Sequence, residues 1–469
     1  MNSPEEGELV ETGTFRVDRE RMLEILSRYQ FQGPDMFLRA WIRCAVASGA
    51  SEVMIDRAHG GPGPGFELSF DGQPFTKEEL LDLYSPLLDG GFSRGGHFAA
   101  GLLALFRTKP VLINISSGGA SVNITGLLAH TPGPAVSGER TVLRVFWTED
   151  PKELPVDRIV NYPAEADEAM LCCPIPVRSP CASNKTFRQA KDAARSLVFK
   201  EGGRRGFIAP YAANDRVPVT NQVPAAYSEI DIYVLGVYVE THIANMSLAP
   251  VSADINDDSL TLDASFGKCV RDERFAEMLV FLENQAGILL LQEIEVQKSA
   301  LAEAGRQMGS RKSVSLWRGC LGYVENWQTA VSSSTVMAAL SAFIQRLNRS
   351  YERPIEPEVP REGHLYYSIV SRAVWLQDAC RRALKNNIGI PADPVMRALW
   401  TAPVLLSRRG GTLSLDDVHK RVVNGGLAVS KYVLCEVYSK EDAVWLASLR
   451  DENFLSEWIP RANWTWDLH

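Results

Sequence analysis

Several features that define common classes of protein are missing from this sequence. It has no run of about 18 uncharged apolar residues, so no membrane-spanning helix is predicted. Its first six residues, Met-Asn-Ser-Pro-Glu-Glu, are acidic and polar, unlike a signal peptide. Its eight cysteines include no Cys-x-x-Cys pair, which argues against a zinc site and a disulfide framework. A reduced, cytoplasmic location is therefore expected.

The sequence also lacks an excess of basic residues over acidic ones. The formal net charge is −8, and proteins that bind nucleic acid generally carry a positive surface, so nucleic acid is not an expected partner. The 45% hydrophobic and 23% charged residues are ordinary for a globular protein. A chain of 469 residues exceeds what one core usually supports, which predicts two or three domains.

Apolar periodicity predicts an α+β fold, with helices against an antiparallel or mixed sheet. The N-terminal part has predicted helices at 17–29, 35–48, 77–84 and 98–106, and predicted strands at 52–57, 66–70, 111–117, 120–128 and 141–147. Further along, strands are predicted at 169–176, 230–239 and 429–437, and helices at 187–199, 272–307, 415–423 and 440–449. Residues 309–387 are predicted to be mostly helical.

Four local features favour an ordinary structural role, and a fifth, a group of tryptophans, leaves two roles open. The glycine-rich stretch at 60–65 lacks a Gly-Lys-Ser/Thr ending and lies between two strands, so it predicts a hairpin turn. Ser93, in Gly91-Phe-Ser-Arg-Gly95, follows a predicted helix rather than the strand that a nucleophile elbow needs. His97 is predicted to be a helix cap or a solvated group, and Cys44 a buried, inert thiol. Trp458, Trp464 and Trp466 could close a core or form a partner-binding surface.

The order of six stretches resembles the N-terminal and middle domains of the heat-shock protein 90 chaperones, in the gyrase/histidine-kinase/MutL-type ATPase superfamily. The stretches are Glu11–Phe15, Phe37–Ile42 with Ser48–Val53, Leu68–Lys77, His97–Leu102, Ile230–Val239 with Asn256–Ser265, and Leu413–Asp417 with Cys435–Asp442. The resemblance implies an N-terminal α/β-sandwich domain at 1–185, a first middle α/β unit at 186–300, a helical insertion at 301–374 and a second middle unit at 375–469. The family's dimerisation domain has no counterpart, so the oligomeric state stays open.

The resemblance also assigns positions to the family's ATPase chemistry, and most of these positions lack the required group. Ala40 stands where a glutamate would activate water, and Cys44 where an asparagine would hold magnesium. Phe70 stands where an aspartate would bind adenine. Phe266 stands where a middle-domain arginine would neutralise phosphate charge. Nearby, Ala47, Pro74 and Ala99 are further departures, whereas Gly72 and Gly101 are retained.

Two expectations follow from these departures. The first is a chaperone-like or scaffolding protein that binds client or partner proteins without hydrolysing ATP, with no catalytic residue, no metal and no cofactor. The alternative is a divergent ATP-dependent chaperone that still binds ATP with magnesium. It would need a local shift that turns Asp71 into the pocket, and Lys268 in place of the missing arginine. Whether Phe70 or Asp71 faces the interior separates the two.

Overall fold

The computed structural model describes most of the chain outside a long central segment. The described residues are 19–29, 33–88, 93–134, 138–166, 168–184, 195–211, 227–308, 372–373, 375–384, 390–407, 412–424, 427–431, 444–446, 449–459 and 464–467. Their elements confirm the predicted α+β class, with three sheets and helices packed against them. None of the described helices is long and apolar enough to cross a membrane.

The first sheet is mixed and rich in antiparallel pairs. Its seven strands lie in the order β5-β4-β3-β6-β2-β1-β7, and only β1 and β7 run parallel. The strands are β1 (Val53–Arg57), β2 (Gly65–Phe70), β3 (Leu112–Ser117), β4 (Ala120–Gly126), β5 (Ala129–Pro132), β6 (Thr141–Phe146) and β7 (Val177–Arg178). Apolar residues alternate along β2, β3 and β6, so one face of the sheet is buried.

Seven short helices belong to this part of the chain. They are α1 (Arg19–Tyr29), α2 (Met36–Ala47), α3 (Lys77–Leu81), α4 (Ser85–Leu88), α5 (Arg94–Phe106), α6 (Val156–Val160) and α7 (Tyr162–Glu165). Helices α2 and α5 are apolar on nearly all sides and pack directly against each other. A helix that is hydrophobic all round is a buried one, which is why these two form the centre of the N-terminal core.

The second sheet has five strands in the order β11-β10-β12-β9-β8. They are β8 (Leu197–Glu201), β9 (Arg204–Pro210), β10 (Ser228–Val234), β11 (Val237–Ala244) and β12 (Val251–Asp257). The long helix Glu273–Met308 packs on this sheet, and Phe199 meets Phe281 edge-on at 5.2 Å between ring centroids.

The third sheet is smaller, in the order β14-β13-β16-β15-β17. Its strands are β13 (Leu405–Ser407), β14 (Thr412–Leu413), β15 (Leu427–Lys431), β16 (Val444–Leu446) and β17 (Trp464–Asp467). Helices Pro394–Trp400, Leu415–Val423 and Leu449–Trp458 accompany it, and residues 375–383 are also helical. Trp458 packs against Trp400 and Phe454, which favours a core role for this tryptophan.

Several of the elements predicted after residue 168 were wrong. Residues 169–176 form a 3-10 turn and bends, because two prolines interrupt the stretch. The single strand predicted at 230–239 is a hairpin, since Leu235 and Gly236 both adopt positive φ and make a two-residue turn. Residues 197–199 are strand rather than helix, and so are 444–446.

The domain boundaries stay predictions. The three sheets use residues 53–178, 197–257 and 405–467. Most of the predicted insertion at 301–374, together with Glu11–Phe15, Cys435 and the glycines at 90–91, lies outside the described residues.

Candidate functional site

Helix α2 carries two of the predicted site residues on its buried surface. Ala40 is 1% exposed and Cys44 is fully buried, one turn apart. Burial raises the pKa of the Cys44 thiol to about 12, so this thiol is inert at neutral pH. The helix, Met-Phe-Leu-Arg-Ala-Trp-Ile-Arg-Cys-Ala-Val-Ala, contains no carboxylate and no amide. No group on it can activate water or bind magnesium through oxygen.

Trp41 fills the space between α2 and α5. A Cβ built on Gly101 would lie 2.3 Å from Trp41 Nε1. The indole ring therefore packs directly against the backbone of α5 at this glycine, which has no side chain to block it. The indole N–H donates to the carbonyl of Phe98 at 3.2 Å. Rings of Phe37 and Phe66 lie 5.5 Å and 6.3 Å from it. The retained Gly101 therefore serves packing against an aromatic side chain.

At the end of β2 the chain sends Phe70 inward and Asp71 outward. Phe70 is fully buried and stands opposite Val53 and Thr141 in the register. Asp71 is half-buried at the surface, and its carboxylate accepts hydrogen bonds from the Ser51 amide at 2.8 Å and the Ser51 hydroxyl at 2.5 Å. Bonding to Ser51 is the main reason that the Asp71 pKa lies below its usual value. The shift that would turn Asp71 into the interior is absent.

Gly72 has a conformational role. Its φ is +103°, and a Cβ there would lie 2.6 Å from the carbonyl oxygen of Ser48 and 2.8 Å from the amide of Ala50. Only glycine allows the strand end to approach the end of α2 this closely. The amide of Gln73 then donates to Ser48 O at 2.8 Å.

The start of α5 is fixed by neighbouring side chains. Ser93 is its N-cap and accepts from the Gly96 amide at 3.2 Å, and the last element described before it is helix α4, which ends at Leu88. Arg94 pairs with Glu79 at 2.7 Å and donates to the carbonyl of Gln73 at 2.7 Å. These contacts match the capping role of serine and do not make Ser93 a nucleophile.

Phe266 lies at the tip of a tight loop that contacts α2 and α5. It adopts φ of +55°, and Asp263 holds the loop by accepting from the amides of Ser265 at 3.1 Å and Lys268 at 3.2 Å. The Phe266 ring meets the His97 ring edge-on at 5.6 Å. Lys268 is exposed, beyond this contact. Where the resemblance would place a charged phosphate contact, the chain places a buried aromatic ring.

Arg43 is the residue that sequence reasoning missed. Its side chain is fully buried, and it donates to the carbonyl of Phe266 at 3.1 Å and to that of Tyr238 at 2.8 Å. Burial lowers its pKa to about 10. The signal was an arginine between apolar residues of a buried helix, because a buried cation needs acceptors from another element. Arg43 thus joins α2 to the second sheet and its loop.

His97 is neither a cap nor solvated, contrary to the prediction. It is 1% exposed, and its Nδ1 has no hydrogen-bond partner. Burial, followed by the nearby charge of Arg43, lowers its pKa to about 3.

Acidification should therefore destabilise the protein in a defined pH range. An unfolded histidine binds a proton near pH 6.5, whereas folded His97 binds one only near pH 3. The unfolded state then holds the extra proton, so stability falls by about 1.4 kcal/mol per pH unit below 6.5, or roughly 2 kcal/mol at pH 5. Urea unfolding of wild type and His97→Phe at pH 7.5 and pH 5 measures this. The free energies of unfolding of wild type and His97→Phe should differ less at pH 5 than at pH 7.5. His59 is exposed, so His59→Gln should keep the pH dependence of the wild type.

The residues present do not fit ATP with magnesium. Helix α2 supplies neither a base nor an oxygen ligand, Phe70 replaces a carboxylate, and Trp41 lies against Gly101. Among the described residues, no group of three His, Cys, Asp or Glu side chains could hold a metal ion. We therefore assign no catalytic step to this site.

No protein-family model matches the sequence, and no curated protein does. Among solved structures, the chain is similar to the ATPase and transducer domains of DNA topoisomerase II from Balamuthia mandrillaris, at 10% identity and a TM-score of 0.34, covering 53% of this chain and 81% of that one. It is also similar to the ATPase region of Saccharomyces cerevisiae topoisomerase II, at 9% identity and a TM-score of 0.36, covering 54% of this chain and 88% of that one. Neither is a heat-shock protein 90, so that narrower resemblance stays a prediction.

Proposed function

We propose that this chain is a non-hydrolysing relative of the gyrase/histidine-kinase/MutL-type ATPases that works as a chaperone-like or scaffolding protein and binds other proteins. The observation that carries the proposal is the packed junction of α2, β2 and α5. There, Ala40, Trp41 and Phe70 are buried side chains where nucleotide chemistry needs polar groups and space. Function depends on the site rather than the fold, and this site has no reacting group.

The alternative of a divergent ATPase has little support from the geometry. It depended on Asp71 and Lys268, but Asp71 is bound to Ser51 and Lys268 is exposed. Asp71 is used to hold the start of β1 through Ser51. A carboxylate already fixed by three local donors is poorly placed to bind an adenine amino group.

A thermal-shift titration with ATP, ADP and magnesium tests the proposal. A ligand that binds only the folded state stabilises it by about 1.4 kcal/mol at a tenfold excess over Kd. We expect no shift in the unfolding midpoint at millimolar nucleotide, because Phe70 and Trp41 occupy the interior. A dose-dependent rise with ATP that requires magnesium would instead favour the divergent chaperone.

A further inference from the structure

A cleft of about 510 Å³ lies away from the packed α2–α5 junction, between the first and second sheets. One wall comes from the start of α2, from α6 and α7, and from the 3-10 turn Glu168–Met170. The other wall is the β10–β11 hairpin. A volume in the range of about 300–1,000 Å³ is typical of ligand sites in proteins.

The hairpin wall owes its shape to a β-bulge. The register shifts at Ile232 and Tyr233, so Tyr238 and Thr241 both line the cleft although they are three residues apart. Thr241 donates its hydroxyl to Asp231 at 2.5 Å, and the hydroxyl of Tyr238 lies 2.9 Å from the Thr241 oxygen. The bulge thus positions a carboxylate beside two hydroxyl groups and an aromatic ring.

The opposite wall carries two ion pairs that neutralise themselves. Arg39 Nε lies 2.7 Å from Asp35 Oδ2, and Arg158 Nε lies 3.0 Å from Glu165 Oε2. Tyr162 also donates its hydroxyl to Asp35 at 3.1 Å. Each of these two pairs is neutral by itself.

Two carboxylates of the cleft have no cationic partner. Neither Asp231 nor the exposed Glu168 forms an ion pair with any described residue, and they lie on opposite walls. The lining has four carboxylates and two guanidinium groups, which leaves two negative charges. The Arg39 guanidinium carbon is 5.7 Å from the centroid of the Tyr238 ring, so this aromatic surface already accommodates a cation.

From this arrangement we infer that the cleft binds a basic peptide segment of a partner protein, with one cationic side chain directed to Asp231 and a second to Glu168. The inference rests on the proposed protein-binding function and names the kind of segment recognised. A peptide fits better than a single small cation because the two free carboxylates stand on different walls. Charge complementarity across the cleft supplies the specificity.

Fluorescence anisotropy on the full chain tests this with a labelled Gly-Arg-Ser-Arg-Gly peptide and a Gly-Glu-Ser-Glu-Gly counterpart. The basic peptide should bind and the acidic one should not. Asp231→Asn and Glu168→Gln should each weaken binding about fivefold, the effect of roughly 1 kcal/mol per ion pair. The matched control is Glu201→Gln, an exposed carboxylate on β8 at the opposite edge of the second sheet.

Three results would overturn the inference. The first is equal binding of the two peptides. The second is binding of the basic peptide that neither cleft variant weakens, although both variants keep normal thermal midpoints. The third is displacement of the labelled peptide by spermine at concentrations as low as those of unlabelled peptide. The last would identify a small-cation site. The nucleotide titration is an independent test. If the basic peptide does not bind and nucleotide gives no thermal shift, the cleft is not a peptide site, but the proposal of a non-hydrolysing protein still stands.

Discussion

Replacing Phe70 with aspartate, the residue that the ATPase resemblance implies, is expected to lower the free energy of unfolding by at least about 3–5 kcal/mol. Phe70 is fully buried, and removing a buried phenylalanine alone costs that much. The new carboxylate would enter an apolar core, which adds a desolvation penalty or forces the group to stay protonated. Its strand neighbour Thr141 already shares a hydrogen bond of 2.7 Å with Ser117.

Urea unfolding with and without ATP and magnesium measures this prediction. Phe70→Leu is the matched control, since it keeps an apolar side chain and should cost less than about 1.5 kcal/mol. Nucleotide should restore nothing to Phe70→Asp, because Trp41 still lies on Gly101 and α2 still lacks a base. If ATP stabilises the aspartate variant and not the wild type, the interior has kept a nucleotide-shaped space, and the packed-junction argument fails.

Replacing Arg43 with alanine is expected to lower the free energy of unfolding by about 3 kcal/mol and to loosen the contact between α2 and the second sheet. The change removes two hydrogen bonds from a charged donor, each of which contributes roughly 1.5–3 kcal/mol to stability. Removing the buried charge also removes its desolvation cost, which offsets part of this loss. The carbonyl groups of Phe266 and Tyr238 lose the guanidinium donor. Lysine should restore little, because one ammonium group lacks the planar fork of the guanidinium.

Amide hydrogen exchange of residues 263–268, together with urea unfolding, gives the two readouts. The loop amides should exchange faster in Arg43→Ala, since the loop loses its tie to α2. Arg57→Ala is the control: Arg57 is 53% exposed, and its loss should change stability by less than about 0.5 kcal/mol. Equal stability of the two variants, with unchanged loop exchange, would show that other contacts join the two sheets.

The lack of a carboxylate and of an amide on α2 is a matter of residue type, and the sequence alone was enough to show it. The apolar helix around Ala40 contains no carboxylate in any register, so no rearrangement of the fold can supply a base from it. The N-terminal strands and helices were also predictable, because their apolar residues repeat with clear periods of two or 3.6. The elements after residue 168 were harder to predict. There, a Leu-Gly turn split one predicted strand into a hairpin, and two prolines interrupted another.

The sequence by itself determined the α+β class, the buried α2 and the lack of a carboxylate on that helix, because these depend on local pattern and side-chain chemistry. Tertiary structure alone decided three things: that Phe70 rather than Asp71 faces inward, that Arg43 bonds to Phe266, and that a bulge shapes a cleft in which two carboxylates form no ion pair with a described residue. Arg43 and Phe266 are 223 positions apart. Local periodicity carries no information about contacts of that separation, which are set by how the sheets pack together.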